Sequence, residues 1–466
     1  MKNLLIIGAG EAGKMVSHDI LVNKNLSNKY HLVGFIDDDP NKKSVDSVNV
    51  IGQIKDSSAV IKEYNIDEVI IAIPSATKDL INKILNALQN TNVVVKIVPG
   101  FYEIIEGKVV YNQIRNIEPS DLLGREEVGF DLDKISDYYK DKIIFVTGAG
   151  GSIGSQIFFE LFELPVKKVI AFGHGENSIH NLITKIGNDK RFYYVIGDVR
   201  DKNKVNHEIE RFKPDIIFHV AAHKHVPLME DYPDEAVKNN IFGTYNVAKA
   251  AIQHKVKKFI FVSTDKAVNP TSVMGATKRL SEKITLSFNK IQNTTKFQLT
   301  RFGNVLGSRG SVIPIFKEQI EKGGPITITH KDMTRFFMSI REAARLVIKS
   351  GSIQSGNIFI LDMGQPVKIV DLAKNLIKLY GYNENDIPII FTGVRAGEKL
   401  YEEILTKKEN LKKSIFEKLF ISNEEDSFYN ENEIEKILIN LETTIEKYDN
   451  IEIKKLLKKY NQEYQF

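Results

Sequence analysis

The stretch Lys142-Ile-Ile-Phe-Val-Thr-Gly148-Ala-Gly-Gly151-Ser-Ile-Gly154 joins an apolar run to a glycine-rich turn and the start of a helix. An apolar run without alternation is typical of a strand that is buried on both faces of a parallel sheet. Glycines at this spacing let backbone amides approach a phosphate at the N-terminus of the helix. The stretch therefore predicts the first strand–helix unit of a doubly wound α/β domain that binds a dinucleotide.

The choice between NAD and NADP depends on the residue at the end of the next strand, which the apolar run 168–172 predicts. An acid there binds the ribose hydroxyls of NAD, whereas a nearby arginine suits the 2′-phosphate of NADP. Gly173 is neither, which leaves Glu176 or Asn177 as the ribose ligand. The sequence therefore favours NAD, with NADP as the alternative.

A weaker glycine fingerprint, made of Gly8, Gly10 and Gly13, follows an apolar run at the start of the chain. The next apolar run ends in Asp37-Asp38-Asp39, where a carboxylate can bind a ribose hydroxyl. Strands and helices then continue to alternate. We predict a Rossmann-like nucleotide-binding domain here, for which a bound nucleotide and an empty scaffold are equally good interpretations.

Three chemically able side chains, Thr264, Asp265 and Lys266, follow the apolar run 257–262. The run predicts a buried strand, and in open α/β sheets ligands bind at the carboxyl ends of such strands. A hydroxyl, a carboxyl and an amine placed there can hold a substrate and move its protons. After a proline turn, Met274-Gly-Ala-Thr-Lys278 is predicted to begin a helix.

These motifs resemble the extended short-chain dehydrogenase/reductase superfamily, in which a Ser or Thr ends the strand and a Tyr-x-x-x-Lys pair opens the next helix. Lys278 matches the pair, but Met274 stands in place of the tyrosine, and a thioether cannot exchange a proton. Thr264-Asp265-Lys266 followed by Met resembles the nucleotide-sugar 4,6-dehydratases. Within them it is similar to the large polysaccharide-biosynthesis branch that acts on UDP-N-acetylglucosamine.

The resemblance implies a hydro-lyase that converts UDP-N-acetylglucosamine to a UDP-4-keto-6-deoxy sugar for capsule, exopolysaccharide or glycan biosynthesis. Lys266 would remove the proton on carbon 5, and Asp265 would protonate the hydroxyl that leaves carbon 6. Lys266 must then be neutral, which needs a lowered pKa. Thr264 would hydrogen-bond the oxygen on carbon 4, whose proton goes to Lys266 or to Lys278. Met274 implies retention of configuration at carbon 5.

The resemblance also implies a tightly bound NAD, or NADP, held by the glycine turn and by residues at the strand ends. Lys278 would orient the nicotinamide ribose, besides its place in the catalytic group. The predicted cofactor contacts are Gly148, Gly151, Ser152, Ile153, Gly154, Glu176, Asp198, Val199, Ala221, Ala222 and Lys278.

The UDP-sugar substrate is expected to meet a loop near the cleft and several polar motifs in the second half of the chain. Arg395-Ala-Gly-Glu398 resembles the Arg-Pro-Gly-Glu motif of the family, with alanine replacing proline. Arginine suits bidentate binding of phosphate. A solvated loop is the alternative for Lys224 and His225. The predicted substrate contacts are Lys224, His225, Asn304, Ser311, Val312, Arg335, Arg395 and Glu398.

The composition excludes several kinds of site. The chain of 466 residues has no cysteine, which excludes disulfides and thiolate metal sites. His219, His223 and His225 are close in sequence, but no carboxylate or cysteine pattern completes a metal site, and none is predicted. The net charge is +4 with acids and bases interspersed, so no nucleic-acid partner is predicted.

We predict an α/β fold with two Rossmann-like, doubly wound parallel-sheet domains, the second with a smaller α/β substrate-binding subdomain. The predicted parts are a nucleotide-binding domain (1–116), a linker (117–140), a catalytic domain (141–410) and a helical tail (411–466). Apolar residues recur at helical spacing in the tail, which is typical of amphipathic helices. The family resemblance implies a homo-oligomer, a dimer or larger.

No apolar run reaches the roughly 18 residues that a transmembrane helix needs, which favours a cytoplasmic protein. Members of the resembled branch usually carry transmembrane helices before the first domain. We therefore expect either a naturally soluble member or one whose membrane region has been removed.

Two other functions fit parts of the pattern. A UDP-sugar 4-epimerase or simple dehydrogenase would share the fold, but the missing tyrosine and the adjacent Asp265 and Lys266 oppose it. A nucleotide-sensing scaffold in polysaccharide assembly would account for Met274, but the intact Thr264-Asp265-Lys266 opposes that.

Overall fold

The computed structural model describes residues 1–88, 91, 93–98, 114–116, 132–404, 410–423 and 428–466. The chain divides into two compact units. The first unit contains residues 1–129, 310–332 and 367–392. The second contains residues 130–309, 333–366 and 393–466. Within the predicted linker, residues 117–131 lie outside the described part of the chain.

Strands and helices alternate along most of the chain, as a doubly wound fold requires. The strands are β1 (Lys2–Ile7), β2 (Tyr30–Ile36), β3 (Ser44–Val45), β4 (Val48–Gly52), β5 (Glu68–Ile71), β6 (Val94–Ile97), β7 (Arg115–Asn116), β8 (Ile143–Thr147), β9 (Lys168–Gly173), β10 (Phe192–Ile196), β11 (Ile216–His219), β12 (Lys258–Val262), β13 (Lys296–Arg301), β14 (Asn304–Val305), β15 (Ile326–Ile328), β16 (Thr334–Arg335), β17 (Phe337–Met338), β18 (Ile358–Leu361), β19 (Val367–Lys368), β20 (Ile389–Phe391), β21 (Asn410–Lys413) and β22 (Leu419–Asn423). The helices are α1 (Glu11–Val22), α2 (Lys24–Ser27), α3 (Ser57–Glu63), α4 (Lys78–Ala87), α5 (Leu132–Tyr139), α6 (Ser152–Phe162), α7 (Glu176–Ile186), α8 (Lys202–Phe212), α9 (Val226–Asp231), α10 (Pro233–Ala236), α11 (Gly243–Gln253), α12 (Val273–Ile291), α13 (Val312–Glu321), α14 (Ile340–Ser352), α15 (Ile369–Leu379), α16 (Glu431–Ile445) and α17 (Asn450–Tyr460).

The first unit is built on a seven-stranded sheet in the order β3-β4-β2-β1-β5-β6-β7. The strands from β4 to β6 are parallel, and β3 and β7 pair antiparallel at the two edges. Apolar side chains of β1, β2 and α1, among them Ile6, Phe35 and Val16, are fully buried in its core. Two later segments also belong to this unit, because α15 packs against α4 and Lys378 donates to Asn86 at 2.8 Å.

The second unit contains a nine-stranded sheet in the order β10-β9-β8-β11-β12-β13-β18-β22-β21. The strands from β10 to β18 are parallel, and their apolar residues are buried because helices cover both faces. The strand order reverses between β8 and β11, which is the place where ligands bind in folds of this kind. The prediction of two doubly wound parallel-sheet domains is confirmed.

The end of the chain differs in part from the predicted helical tail. Residues 410–423 form β21 and β22 instead, since the apolar run 419–421 extends the sheet by antiparallel pairing with β18. The helices α16 and α17 begin only after it, and their apolar faces are buried in the core of the unit, as the spacing predicted. The buried residues of α16 are Ile434, Ile437, Leu438, Leu441 and Ile445.

No helix within the described ranges is both long enough and apolar enough to cross a membrane.

Candidate active site

The glycine turn that follows β8 is too tight to admit side chains. Gly148 has a φ of +63°, and a Cβ there would lie 2.7 Å from the backbone nitrogen of Ala221. A Cβ on Gly154 would lie 2.2 Å from the carbonyl oxygen of Gly148. Gly151 is the N-cap of α6, so the first amides of α6 face the turn without intrahelical acceptors. This cradle fits the diphosphate of a dinucleotide.

The other residues predicted to contact the cofactor lie in the first turn of α6 or just beyond the ends of neighbouring parallel strands. These residues are Ser152 and Ile153 in α6, Glu176 after β9, Asp198 and Val199 after β10, and Ala221 and Ala222 after β11. Among them, Glu176 is the first residue of α7 and is exposed.

Asp198 is paired with Arg200, which no sequence motif marked as a site residue. The guanidinium of Arg200 donates to both carboxylate oxygens of Asp198 and also contacts Glu235 at 2.8 Å. Burial would raise the pKa of Asp198, but these hydrogen bonds outweigh it and lower the pKa. A charged pair therefore flanks the cradle where the adenosine part of a dinucleotide would lie.

His219 is a core residue, as predicted. Its Nδ1 lies 2.8 Å from the hydroxyl of Thr147, and its Nε2 lies 3.0 Å from the hydroxyl of Thr244. Burial lowers the pKa of His219 to about 3, so the ring is neutral at physiological pH. In the part of the chain that the structure describes, no three His, Cys, Asp or Glu side chains form a group suited to a metal ion.

Thr264, Asp265 and Lys266 share one hydrogen-bonded group at the end of β12. The hydroxyl of Thr264 donates to Oδ1 of Asp265 at 2.9 Å, and the amine of Lys266 donates to the same oxygen at 3.0 Å. Oδ2 of Asp265 is buried and has no hydrogen-bond partner among the residues that the structure describes. One carboxylate oxygen therefore holds the two neighbouring side chains.

Lys266 also donates to Oδ1 of Asn304 at 3.0 Å and pairs with Glu402 at 3.5 Å. Burial would lower the pKa of Lys266, but the charges of Asp265 and Glu402 outweigh it, and the pKa is raised. The expectation that the pKa of Lys266 is lowered is therefore wrong. The sequence did not reveal the cause, because Glu402 is remote from Lys266 in the chain.

Met274 and Lys278 lie in the first two turns of α12, whose N-cap is Ser272. Met274 is only 3% exposed and packs in the apolar core, so no proton donor occupies its place. The amine of Lys278 donates to the carbonyl of Val262 at 2.7 Å, and burial lowers its pKa to about 7. Lys278 is thus the amine of the site that loses its proton near neutral pH.

A cavity of about 190 Å³ opens beside Lys266 in the second unit. Asn304, Arg335, Arg395 and Glu398 line it, and their role as substrate contacts stays a prediction. The guanidinium of Arg335 lies 3.5 Å from Glu398 and 3.7 Å from Glu402, at the closest atoms. Arginines that line a cavity suit an anionic ligand.

Lys224 and His225 precede α9, and the first two residues of α9, Val226 and Pro227, line the same cavity. The amine of Lys224 donates to the hydroxyl of Ser308 at 3.3 Å. Burial, and then the charge of Lys266, lower the pKa of Lys224, while burial and Lys224 lower that of His225. Lys224 therefore lies close enough to the amine of Lys266 to interact with it electrostatically.

Ser311 and Val312 belong to the first unit, as the N-cap and the first residue of α13. Their place in a uracil pocket stays a prediction.

The glycine turn of the first unit is also closed to side chains. Gly8 has a φ of +107°, and a Cβ on Gly13 would lie 2.0 Å from the carbonyl oxygen of Gly8. The carboxylate of Asp37 accepts from the amide of Ala9 at 2.7 Å and from Lys42 at 2.9 Å. A ribose hydroxyl would therefore compete with the chain's own donors for Asp37.

Glu230 connects the C-terminal helix α17 to the start of α12. Its Oε1 accepts from the amide of Val273 at 2.6 Å, and its Oε2 pairs with Lys454 at 2.7 Å. A Cβ on Gly397, which lines the cavity, would lie 3.0 Å from Oε1 of Glu230. One carboxylate thus contacts α17 and the first residue of α12, close to Gly397 at the rim of the cavity.

Residues 144–424 match a family described as polysaccharide biosynthesis protein, and residues 1–99 match a CoA-binding domain. The chain is 46% identical to the capsular polysaccharide biosynthesis protein CapD of Staphylococcus aureus, over 90% of this chain and 71% of that protein. It is 48% identical to the probable polysaccharide biosynthesis protein EpsC of Bacillus subtilis, over 90% of this chain and 70% of that protein. A UDP-glucose 4-epimerase of Rickettsia canadensis is 37% identical, over 59% of this chain and 80% of that protein.

Two solved structures share the fold. Pen from Bacillus thuringiensis is 35% identical with a TM-score of 0.58, and the match covers 66% of this chain and 99% of Pen. DesIV from Streptomyces venezuelae, a dTDP-glucose 4,6-dehydratase with NAD bound, is 20% identical with a TM-score of 0.51. That match covers 56% of this chain and 87% of DesIV, and at this identity it shows the fold alone.

Proposed function

The chain belongs to the polysaccharide biosynthesis protein family, and from that premise we propose that it is a UDP-N-acetylglucosamine 4,6-dehydratase. The observation that carries the proposal is the contact of Asp265 with Lys266 at 3.0 Å, beside the cavity. An elimination of water needs an acid and a base on the same substrate, whereas a simple oxidation or epimerisation does not.

The glycine cradle after β8 would hold NAD, with NADP as the alternative, through Gly148, Gly151, Gly154 and the first amides of α6. The closed glycine turn, in which a Cβ on Gly154 would lie 2.2 Å from the carbonyl oxygen of Gly148, supports this assignment. A bound nicotinamide dinucleotide supplies reversible acceptance of hydride. Arg335 and Arg395 would bind the diphosphate of the substrate, and Asn304 would bind its sugar.

Asp265 and Lys266 can reach the protonation states that elimination needs by exchanging one proton. Transfer of a proton from Nζ of Lys266 to Oδ1 of Asp265 leaves an amine and a carboxylic acid together. The amine then takes the proton of carbon 5, the acid protonates the hydroxyl on carbon 6, and water departs. The original ion pair is re-formed, so the charges of the site balance after the elimination.

Lys266 afterwards returns its proton to carbon 5. The proton of the hydroxyl on carbon 4 leaves earlier, when carbon 4 is oxidised, and would be held meanwhile by the amine of Lys278, whose pKa of about 7 lets it accept one. It then passes through Thr264, which donates to Asp265 at 2.9 Å, and restores the ion pair. Since Met274 has no exchangeable proton, the same amine removes and returns the proton of carbon 5. Retention of configuration is therefore expected.

Incubation of the purified chain with UDP-N-acetylglucosamine, without added cofactor, tests the proposal. Loss of one water by mass and a new methyl doublet by proton NMR are expected, and would also show that the dinucleotide co-purifies. If neither UDP- nor dTDP-sugars lose water, even with NAD⁺ or NADP⁺ added, the proposal is rejected.

A UDP-sugar 4-epimerase is the second candidate, because relatives with that name share 37% identity with this chain. An epimerase would change the configuration at carbon 4 without changing the mass of the sugar. The same incubation therefore separates the two candidates.

We also propose that the first unit binds a nucleotide, which the family match to a CoA-binding domain supports. Assembly of the chain into a homo-oligomer remains a proposal that size-exclusion chromatography with light scattering would test.

A further inference from the structure

Glu402 is a buried carboxylate that the proposed reaction does not yet use. Its side chain is only 3% exposed, and Oε1 lies 3.5 Å from Nζ of Lys266 and 3.7 Å from Nε of Arg335. Its second oxygen, Oε2, is buried and makes no hydrogen bond with any residue that the structure describes. A buried carboxylate needs a charged partner, and here the catalytic amine and the expected phosphate ligand share that task.

The three partners of Lys266 match the three protons of an ammonium group. Nζ of Lys266 faces Oδ1 of Asp265, Oδ1 of Asn304 and Oε1 of Glu402. When Lys266 passes one proton to Oδ1 of Asp265, that oxygen becomes the donor, and the two remaining protons still face Asn304 and Glu402. The transfer removes the positive charge that the carboxylate of Glu402 faces at 3.5 Å, so Glu402 opposes the transfer.

We infer that Glu402 is a positioning residue that holds the Lys266 amine protonated between reaction cycles and so governs how readily it passes its proton to Asp265. The inference rests on the role proposed above for Lys266. It adds a residue that acts through the amine and does not touch the reacting atoms.

The charges around Lys266 fix the sign of the effect. Asp265 and Glu402 raise its pKa, while burial and the cations Arg335 and Lys224 lower it. If the charge of Glu402 is removed, Asp265 alone opposes burial and both cations. The pKa of Lys266 then falls, and the amine becomes available as a base at lower pH.

Acylation of lysine by an amine-reactive ester at a series of pH values, read by peptide mass spectrometry, tests this without any turnover. In Glu402→Gln the labelling midpoint of Lys266 should fall by about one pH unit or more. Glu403→Gln is the matched control, since Glu403 is the exposed neighbour and contacts Asn269. The midpoint of the exposed Lys255 should not move in either variant.

A Lys266 midpoint in Glu402→Gln that coincides with that of the wild type overturns the inference. If Glu402→Gln fails to fold, Glu402→Asp, whose charge lies one methylene farther from Nζ, should lower the midpoint by less, and no shift again overturns it. If the wild type dehydrates no nucleotide sugar but the midpoint still falls, the proposed function fails while the role of Glu402 stands.

Discussion

The amine of Lys278 lies 2.7 Å from the carbonyl oxygen of Val262 and 3.8 Å from the centroid of the Phe261 ring. The contact ties α12 to the last residue of β12 at the point where the catalytic group begins. It also removes the amine from water, since Lys278 is only 4% exposed. Burial of a lysine has a cost in stability that depends on pH.

The first prediction concerns that cost. Burial lowers the pKa of Lys278 to about 7, while in the unfolded chain it is about 10.4. Between these values the unfolded chain binds the extra proton, so folding stability due to this group rises with pH. The free energy of unfolding of Lys278→Met should therefore exceed that of the wild type by most near pH 7, and by less at higher pH. Urea unfolding of both proteins across this range measures the difference, with Lys455→Met as the exposed control. A difference that is constant with pH would contradict the prediction.

The second prediction concerns Glu282, which is fully buried between two arginines. Its carboxylate lies 2.7 Å from Arg301 and 3.1 Å from Arg279. Glu282→Gln leaves two buried guanidinium groups with less compensation, and should lower the free energy of unfolding by about 3–5 kcal/mol. Glu321→Gln, at an exposed pair on α13, should change it by less than about 1 kcal/mol. Equal effects of the two variants in denaturant titrations would contradict this.

Acid unfolding follows from the same carboxylate. Burial would raise the pKa of Glu282, but Arg301 and Arg279 outweigh it and lower the pKa from 4.5 to about 2. The stability that Glu282 contributes is complete above the unfolded pKa and is lost as the pH falls from 4.5 towards 2. Circular dichroism over this range should show a steeper loss of stability in the wild type than in Glu282→Gln.

The third prediction concerns the acid of the proposed elimination. Asp265→Asn keeps a hydrogen-bonding group beside Thr264 and Lys266 but cannot protonate the leaving hydroxyl. Release of the 4-keto-6-deoxy sugar should fall by about 10²–10⁴-fold, while the substrate still binds. Product formation by mass spectrometry and substrate affinity by calorimetry check the two parts. Release at near the wild-type rate would remove Asp265 from its role.

The fourth prediction concerns the glycine cradle. In Gly154→Ala the added Cβ would lie 2.2 Å from the carbonyl oxygen of Gly148, so α6 must move away from the turn. The purified variant should carry much less dinucleotide than the wild type, measured by chromatography of the denatured protein. Ser155→Ala, one residue later on α6, is the control and should keep its dinucleotide. Equal amounts of dinucleotide in all three proteins would contradict the assignment of the cradle.

The fifth prediction is stereochemical. In D₂O the product should carry deuterium at carbon 5 if Lys266 exchanges its proton with solvent, and the configuration at carbon 5 should be that of the substrate. The coupling constants in the proton NMR spectrum distinguish retention from inversion. Inversion would require a proton donor on the opposite face of the sugar, and would exclude return of the proton by the same amine.

The sequence predicted the parts of the site whose signal lies within one stretch. Three such parts are recognised from residues that are neighbours in the chain or one helical turn apart: the glycine turn, Thr264-Asp265-Lys266 and Lys278. Glu402 was missed because its partners come from other segments, and a glutamate outside a periodic element has no local signal. The raised pKa of Lys266 was missed for the same reason, since a pKa depends on charges that only the fold brings together.

The boundaries of the units could not be predicted from local patterns either. Residues 310–332 and 367–392 fall within the predicted catalytic domain but cluster with the first unit. Nothing in their composition marks this, because α13 and α15 are ordinary amphipathic helices whose partners are set by tertiary packing. Periodicity predicts that a face will be buried, but not which element will cover it.

The contacts of Glu230 bear on how such chains can be recombined. Lys454 of the tail pairs with Glu230, which in turn accepts a hydrogen bond from the start of α12. Glu463 of the tail pairs with Arg279 of α12 at 2.9 Å. A hybrid that takes residues 428–466 from one relative and the remainder from another would separate these charged partners. A hybrid should fold stably only when Glu230 and Arg279 come from the same relative as the tail. The tail therefore cannot be exchanged between relatives on its own.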